Sequence, residues 1–204
     1  MGLFLFIYNV YMKIILLFLV LSNMTQDNEY NYAYFGGGCF WCIEAVFQDL
    51  RGVNEVTSGY SGGKKETANY IDVCSGQTKH AEICRIKYDP NIISYYELVN
   101  IFFISHDPTT LNQQGNDVGP QYRSIIFYSN EKEKKICKTS ITELEKNNTY
   151  NNIVTELTLF NNFYIAENEH QNYFKLNSQQ PYCKFVINPK ITKLRKELKK
   201  YYLR

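Results

Sequence analysis

The sequence has few of the residues on which several kinds of protein depend. Only 3 histidines occur among 204 residues, and the 6 cysteines include a single C-x-x-C pair, Cys39 and Cys42. A structural zinc site needs a second cysteine or histidine pair at suitable spacing, so we do not expect a metal here. The cysteines are also too few and too unevenly spaced for a disulfide scaffold, which argues against a secreted binding module held by disulfides.

Excess charge and proline are scarce as well. The formal net charge is +2, whereas a nucleic-acid-binding protein usually carries a stronger positive excess, so no nucleic acid is expected as a partner. Only 5 prolines occur, and no cis-proline motif facing the C-x-x-C pair is evident, which argues against a thioredoxin-like dithiol oxidoreductase. Repeats and low-complexity blocks are absent, and the length favours one domain with a substantial core.

The N-terminal residues 1–24 are mostly apolar and are treated apart from the domain. From Met12 onward, Lys13 and the apolar run 14–21 resemble a signal peptide with cleavage after Ser22. From Met1, the run is nearly long enough to span a bilayer, although Lys13 lies close to its middle. We expect a cleaved signal leading to the secretory pathway or an organelle, with membrane tethering or a cytoplasmic location as alternatives.

Hydrophobic periodicity and turn residues predict an α+β domain over residues 31–204, preceded by a linker at 25–30. Strands and helices alternate irregularly, which is typical of two layers, a mixed sheet with helices packed against it. The polar stretch 107–119 has no periodicity, and a loop of this length is usually functional. Strands are predicted at 30–35, 53–59, 80–88, 122–128 and 153–160, and helices at 43–50, 94–106, 131–146, 166–176 and 189–203. Ser94, with Glu97 three residues later, predicts a capping box at the start of the second helix.

The centre of the predicted fold is a turn of three glycines, residues 36–38, followed by Cys39. Glycines let the backbone turn sharply where the first strand passes into a helix. A cysteine at such a helix N-terminus has its thiolate favoured by free N–H groups and the macrodipole. Two aromatic residues and then Cys42 follow within one helical turn, which is an arrangement for thiol chemistry beside an apolar pocket.

Six motifs, in this order, resemble those of the A-type peptide methionine sulfoxide reductases from about Tyr34 to the C-terminus. The departures are small, namely Pro120 where threonine is usual and the added N-terminal segment. The resemblance implies a ferredoxin-like core and reduction of the S-epimer of methionine sulfoxide. The motifs are Gly38-Cys39-Phe40-Trp41, Gly59-Tyr60-Ser61-Gly62-Gly63, Val73-Cys74-Ser75-Gly76 after Tyr70, His80-Ala81-Glu82, His106-Asp107-Pro108-Thr109-Thr110 and the run from Gln114 to Ser124.

The resemblance also implies roles for individual residues. It implies no cofactor, thioredoxin or a dithiol as reductant, oxidised proteins, peptides and free methionine sulfoxide as substrates, and a monomer. On the residues alone, Glu82 is typical of an ordinary outward-facing strand residue, and Asp117 of a turn cap. The implied roles are Cys39 as nucleophile, Glu82 as acid, Tyr70, Asp117 and Tyr122 as hydrogen-bonding groups around the sulfoxide oxygen, and Phe40 and Trp41 as the apolar wall for the substrate methyl group.

The chemistry requires a proton donor, because the sulfoxide oxygen must be protonated as its bond to sulfur breaks. Glu82 can donate if burial keeps it protonated near neutral pH. A helix N-terminus lowers a thiol pKa by only roughly one unit, so the helix alone leaves much of Cys39 as thiol.

Two cysteines compete for the role of resolving the sulfenic acid that the reaction would leave on Cys39. Cys42 lies one helical turn away, and Cys183 falls near the C-terminal position where many family members keep this residue. The residues after Cys183 have a strand-like pattern rather than that of a mobile tail, which favours Cys42 without excluding Cys183.

Overall fold

The computed structural model of the protein describes residues 30–202. The targeting segment expected at 1–24 and nearly all of the linker lie outside the described residues, as do the last two residues of the domain. Within the described range, the helices are too short or too polar to cross a bilayer.

Six strands form one sheet in the order β7-β6-β1-β3-β2-β8, and β4 and β5 pair as a separate hairpin. The neighbours in the large sheet are antiparallel except β6 and β7, which are parallel, so the sheet is mixed as predicted. The strands are β1 (Asn31–Gly36), β2 (Val53–Ser61), β3 (Ala81–Tyr88), β4 (Gln113–Gln114), β5 (Asp117–Val118), β6 (Ile125–Tyr128), β7 (Glu156–Leu159) and β8 (Tyr164–Ile165).

The helices that follow β1 and β3 complete the βαββαβ order of a ferredoxin-like core, with β6, β1, β3 and β2 side by side. The expected fold class is therefore confirmed. The helices are α1 (Phe40–Phe47), α2 (Tyr70–Cys74), α3 (Tyr95–Ser105), α4 (Glu131–Lys146), α5 (Tyr173–Leu176) and α6 (Asn188–Glu197).

The predicted capping box at the start of α3 is present. The Glu97 N–H donates to Ser94 Oγ, and the Ser94 N–H donates to the Glu97 carboxylate at 2.9 Å. Two helix N-terminal donors are satisfied by this exchange, so the sequence alone located the helix start correctly.

Helix α1 lies in the core between the sheet and the C-terminal elements. All of its residues are buried except Trp41, and Phe35 and Phe47 pack together with ring centroids 5.6 Å apart. Burying one large apolar side chain contributes about 1.5–3 kcal/mol to the free energy of unfolding, so the burial of this helix stabilises the position of Cys42.

The C-terminal third differs most from the sequence prediction. In place of the predicted helix 166–176, the structure has a 3₁₀ turn, Asn168–His170, followed by the short helix α5. Between them Asn172 takes a left-handed conformation with φ of 53°. The prediction of a strand after Cys183 is wrong, because Cys183–Ile187 is a π-helical turn that continues into α6. Pro189 is tolerated because it lies in the first turn of α6, where its missing N–H is not needed.

Three smaller differences from the prediction remain. Tyr122 belongs to a 3₁₀ turn, Pro120–Tyr122, instead of opening the strand, which begins at Ile125. The stretch 107–119 is not structureless, since it contains the β4–β5 hairpin. The last helix ends at Glu197 instead of Leu203.

Candidate active site

The turn between β1 and α1 depends on its glycines. Gly38 has φ of +88°, a backbone conformation that is strained for any residue with a side chain. A Cβ atom at this position would also lie 2.6 Å from Cγ of Gln114. The Gly38 N–H donates to the Tyr122 carbonyl oxygen at 3.0 Å. These constraints place Cys39 at the N-cap of α1, as the sequence predicted.

The Cys39 thiol is almost enclosed, with 8% of the residue exposed. Burial raises its pKa well above the ordinary value, the nearby Glu82 and Cys42 raise it further, and the backbone N–H of Trp41 opposes them. The helix N-terminus thus favours the Cys39 thiolate, as expected, but the desolvation of the thiol outweighs this effect. Cys39 is a thiol at neutral pH in this state of the site.

Glu82 faces the interior from β3 and is 1% exposed, so it is not an outward-facing strand residue. Its Oε2 accepts the Phe40 N–H at 3.0 Å and thereby caps the start of α1. Burial raises the pKa of this carboxyl to about 8, against the opposing effect of the Phe40 hydrogen bond. The carboxyl is therefore mostly protonated at neutral pH, as the chemistry of a proton donor requires.

Two tyrosines lie within electrostatic range of this pair. Burial raises the pKa of Tyr122, and charge on Glu82 raises it next. Burial raises the pKa of Tyr70 as well, followed by its hydrogen bond with Cys74 and by charge on Glu82 and Cys39. Both phenols therefore stay protonated and can donate hydrogen bonds.

Phe40 and Trp41 occupy different environments. Phe40 is 1% exposed and packs against Tyr60 and His170, with ring centroids 5.8 and 5.3 Å away. Trp41 is half-buried, and its ring stacks on Tyr173 at 3.6 Å with an interplanar angle of 5°. Trp41 thus presents the accessible aromatic surface beside the thiol.

A cavity of about 430 Å³ contains both thiols of the C-x-x-C pair. The hydroxyl of Tyr182 donates to Asp117 Oδ2 at 2.7 Å and lies 3.7 Å from Cys42 Sγ. The other residues that line the cavity are Gln114, Gly115, Asn116, Val186 and Lys190.

Cys183 does not line this cavity. It is fully buried in the π-helical turn, close enough to Cys42 that charge on Cys42 contributes to its raised pKa. The structure therefore brings Cys39 and Cys42 together and leaves Cys183 apart.

Sequence reasoning missed three groups of this site. Neither Tyr182, which precedes Cys183, nor Lys190, in the last predicted helix, was identified from the sequence as a site residue. His170 and Tyr173, which pack on the aromatic pair, fall in the region where the helix prediction was wrong. A C-terminal Pro-Tyr-Cys run beside a buried thiol was the one signal that could have found Tyr182.

The alternatives to an enzyme of the thiol type find little support. All six cysteines are free, whereas a disulfide-held module requires them paired. Across residues 30–202, the side chains that can ligate metals form no cluster of three or more. No cis peptide bond occurs in residues 30–202.

Comparison with known proteins gives consistent matches. The family model described as "Peptide methionine sulfoxide reductase" matches residues 31–202. A "Peptide methionine sulfoxide reductase MsrA" of Nautilia profundicola is 53% identical over 161 residues, which cover 79% of this chain and 92% of that protein. One from Acinetobacter baumannii is 51% identical, with the same two shares covered.

Solved structures resemble the fold as well. Reduced Mxr1 of Saccharomyces cerevisiae matches with a TM-score of 0.70 and 31% identity, over 78% of this chain and 91% of that one. Methionine sulfoxide reductase A of Corynebacterium diphtheriae matches with a TM-score of 0.66 and 33% identity, over 76% and 78%. Mxr1 has also been solved in complex with Trx2.

Proposed function

The chain belongs to the peptide methionine sulfoxide reductase family and reduces methionine sulfoxide, and we propose that Cys39 is the thiol that attacks the sulfoxide sulfur. The observation that carries this proposal is the Cys39–Glu82 pair. A cysteine at the start of a buried helix lies beside a carboxyl whose pKa is raised to about 8. The substrate is the S-epimer of methionine sulfoxide, in oxidised proteins and peptides or free.

In the first step, the Cys39 sulfur attacks the substrate sulfur while Glu82 protonates the sulfoxide oxygen. A sulfur–sulfur bond forms between Cys39 and the substrate, and the sulfoxide oxygen takes up the Glu82 proton and the Cys39 thiol proton and leaves as water. Water then attacks the Cys39 sulfur and returns a proton to Glu82, the sulfur–sulfur bond breaks, methionine leaves, and Cys39 ends as a sulfenic acid. The methionine sulfur is reduced by two electrons and the cysteine sulfur is oxidised by two. A protonated Glu82 has a second advantage, since an ionised carboxylate would repel the nearby thiolate.

The two tyrosines donate hydrogen bonds to the sulfoxide oxygen, and Asp117 can accept one from that oxygen once it is protonated. The protonated phenols of Tyr70 and Tyr122 are donors within electrostatic range of Glu82. Asp117 already accepts one hydroxyl, that of Tyr182, at the edge of the same cavity. Phe40 and Trp41 form the apolar wall against which the substrate methyl group packs, with Trp41 supplying the accessible surface.

In the second step, we assign the resolving thiol to Cys42. Cys42 shares the cavity with Cys39, and its N–H donates to the Cys39 carbonyl oxygen at 3.0 Å, so the two residues lie on one helical turn. A disulfide needs its Cβ atoms at about 3.8 Å, compared with about 5–6 Å for neighbours one turn apart, so a small shift of Cys39 is required. Cys183 would have to leave a fully buried position instead.

The disulfide is then returned to two thiols by an external dithiol, for which thioredoxin is the candidate. The yeast relative Mxr1 forms a complex with Trx2, and the cavity that holds Cys39 and Cys42 is open to such a partner along Val186 and Gly115. No bound cofactor is invoked in either step.

The experiment that tests this function is a single-turnover assay with separated S and R epimers and no reductant. We expect Cys39→Ser to form no methionine, while Cys42→Ser and Cys183→Ser each form one equivalent from the S epimer only. Methionine formation by the Cys39→Ser protein would disprove the assignment of the nucleophile, and activity on the R epimer alone would disprove the substrate class. Peptide mapping after the reaction would show a Cys39–Cys42 disulfide, and a Cys39–Cys183 link would reassign the resolving thiol.

A further inference from the structure

Lys190 places a cation at the cavity that holds the two thiols, and the chemistry described so far does not use it. It lies in the first turn of α6, is half-buried, and lines the cavity together with Cys39, Cys42 and Asp117. Within the part of the chain that the structure describes, no carboxylate forms a salt bridge with it. Lys193, three residues further along the same helix, does pair with a carboxylate, at 4.0 Å from Glu197.

The charges around the two thiols differ. Burial raises the pKa of Cys39 most, Glu82, Cys42 and Asp117 raise it further, and the one favourable influence is the backbone N–H of Trp41. Burial also raises the pKa of Cys42 most, and Asp117 and Glu82 are again unfavourable, but here the cation Lys190 is a favourable influence. The cation therefore lies on the Cys42 side of the cavity.

The second step needs a thiolate at Cys42. Burial raises the pKa of this thiol, so at neutral pH it is protonated unless a neighbouring group offsets the desolvation. Attack on the Cys39 sulfenic acid requires the thiolate, because a thiol is a much weaker nucleophile. Cys39 has Glu82 beside it for the first step, whereas Cys42 has neither a histidine nor a carboxylate in hydrogen-bond contact with its sulfur within the described residues.

We propose that Lys190 is a positioning residue for the second step, in which its ammonium group stabilises the attacking Cys42 thiolate. In that step a sulfur–sulfur bond forms between Cys42 and Cys39, and the sulfur–oxygen bond of the sulfenic acid breaks. The oxygen leaves as hydroxide and takes up a proton equivalent to the one that Cys42 lost, giving water. Cys42 is oxidised, the sulfenic sulfur is reduced, and Lys190 remains an ammonium throughout.

This inference rests on the proposed function, since it requires Cys42 to be the resolving thiol. It predicts a division between the two steps that a general structural role would not produce. Loss of the positive charge should leave methionine formation unchanged and slow disulfide formation alone.

The test compares Lys190→Gln with Lys190→Arg and with the control Lys193→Gln, in single turnover without reductant. Methionine is measured by quenched flow, and disulfide formation by the number of free thiols and by dimedone trapping of the sulfenic acid. Trp41 is the single tryptophan of the sequence and lies between the two cysteines, so its fluorescence can follow the reaction continuously.

Loss of the cation raises the pKa of Cys42 and leaves less thiolate, which the higher intrinsic nucleophilicity of that thiolate partly offsets, so disulfide formation at pH 7 should slow by about 3-fold. The pH profile of this step should move to higher pH in Lys190→Gln and return in Lys190→Arg, whereas Lys193→Gln should behave as the wild type. The thiol that titrates in this profile is Cys42. The charged and titratable groups around it are Lys190, Tyr182, Asp117, Glu82, Cys39 and Cys183.

Each outcome has a distinct meaning. Disulfide formation at the wild-type rate and with an unchanged pH profile in Lys190→Gln, alongside normal methionine formation, would overturn the inference. A rise in KM for free methionine sulfoxide, without any rise for a blocked peptide and without slower disulfide formation, would also overturn it and would make Lys190 a binding group for the substrate carboxylate. Absence of methionine formation by the wild type would instead overturn the proposed function.

Discussion

The two regions that meet at the cavity are held in place by different means. The cysteine turn, residues 36–42, has two constraints in its own backbone. Gly38 has a positive φ, and Cys39 is the N-cap of the buried helix α1. The C-terminal cover, residues 167–190, is built from short helical pieces held by side chains of distant elements. The cysteine turn thus combines local backbone constraints with hydrogen bonds to Tyr122 and Glu82, whereas the C-terminal cover depends on contacts made by distant side chains.

A buried carboxylate serves each region, and the two carboxylates act in similar ways. Glu82 accepts the Phe40 N–H at the start of α1, and Glu44 accepts the N–H groups of Asn172 and Tyr173 at the start of α5, at 2.7 and 3.0 Å. Burial raises the pKa of both. The difference is that Glu82 also faces a thiol, whereas Glu44 only anchors the cover, so their removal should separate catalysis from structural support.

The largest expected effect is that of Glu82→Gln on the cysteine turn. The amide keeps an acceptor for the Phe40 N–H but cannot donate an acidic proton, so the sulfoxide step should slow by about 10²–10⁴-fold. The measurement is methionine formation in single turnover. A rate within about threefold of the wild type would assign the acid to another group, with Tyr70 and Tyr122 the next candidates.

The stability of the same variant provides the control. The folded pKa of Glu82 is raised from 4.5 to about 8, so the folded state retains a proton that the unfolded state loses. The wild type should therefore be most stable below about pH 4.5 with respect to this group and lose stability as pH rises to about 8. Glu82→Gln removes this loss, so it should be more stable than the wild type at pH 8 by on the order of a few kcal/mol. A variant that is instead less stable at pH 8 would show that its activity loss has a structural cause.

The same contrast explains how much could be predicted from sequence. The cysteine turn was located from its glycines and from the apolar spacing of α1, and the Glu97 capping box located α3, because these signals are local. The path of the cover was not predictable in this way. Asn172 takes a left-handed conformation where its N–H meets a carboxylate 128 residues earlier in the chain, and periodicity contains no trace of such a contact.

The residues of the candidate site divide along the same line. Cys39 and Glu82 came from motifs in the order that a known family has, and the structure brings them together in the core. Lys190 reaches the cavity because a π-helical turn, where a strand was expected, continues directly into α6. A sequence pattern that misplaces this turn also misplaces the side chains that follow it.

A smaller effect is expected for Glu44→Gln, which loosens the cover. The amide can accept only one of the two N–H groups of Asn172 and Tyr173 and opposes the other with its own donor, which should cost about 1–3 kcal/mol. Thermal unfolding would measure the loss, and hydrogen exchange would show faster opening across 172–190. Methionine formation should stay near the wild-type rate, since Cys39 and Glu82 are untouched.

The exposed Glu169, changed to Gln, is the matched control for Glu44→Gln and should alter neither quantity. Equal hydrogen exchange in the cover of wild type and Glu44→Gln would mean that the cover is held by the stacking of Trp41 on Tyr173 instead.

The smallest expected effect is that of Tyr182→Phe, which separates the cover from the cavity without removing an aromatic ring. The change deletes the 2.7 Å hydrogen bond to Asp117 and the contact with Cys42 Sγ at 3.7 Å, and the edge of the ring still packs on Trp41. Because Tyr182 gives its single hydroxyl proton to Asp117, it can only accept from the Cys42 thiol, and its loss removes no donor from the Cys42 thiolate. Disulfide formation and methionine formation should therefore both stay within about threefold of the wild type. The two rates are measured in one single-turnover experiment, with Tyr201→Phe, near the end of the described chain, as the control. A loss of more than about tenfold in methionine formation would show that Tyr182 acts on the sulfoxide oxygen through Asp117, and the cover would then belong to both chemical steps.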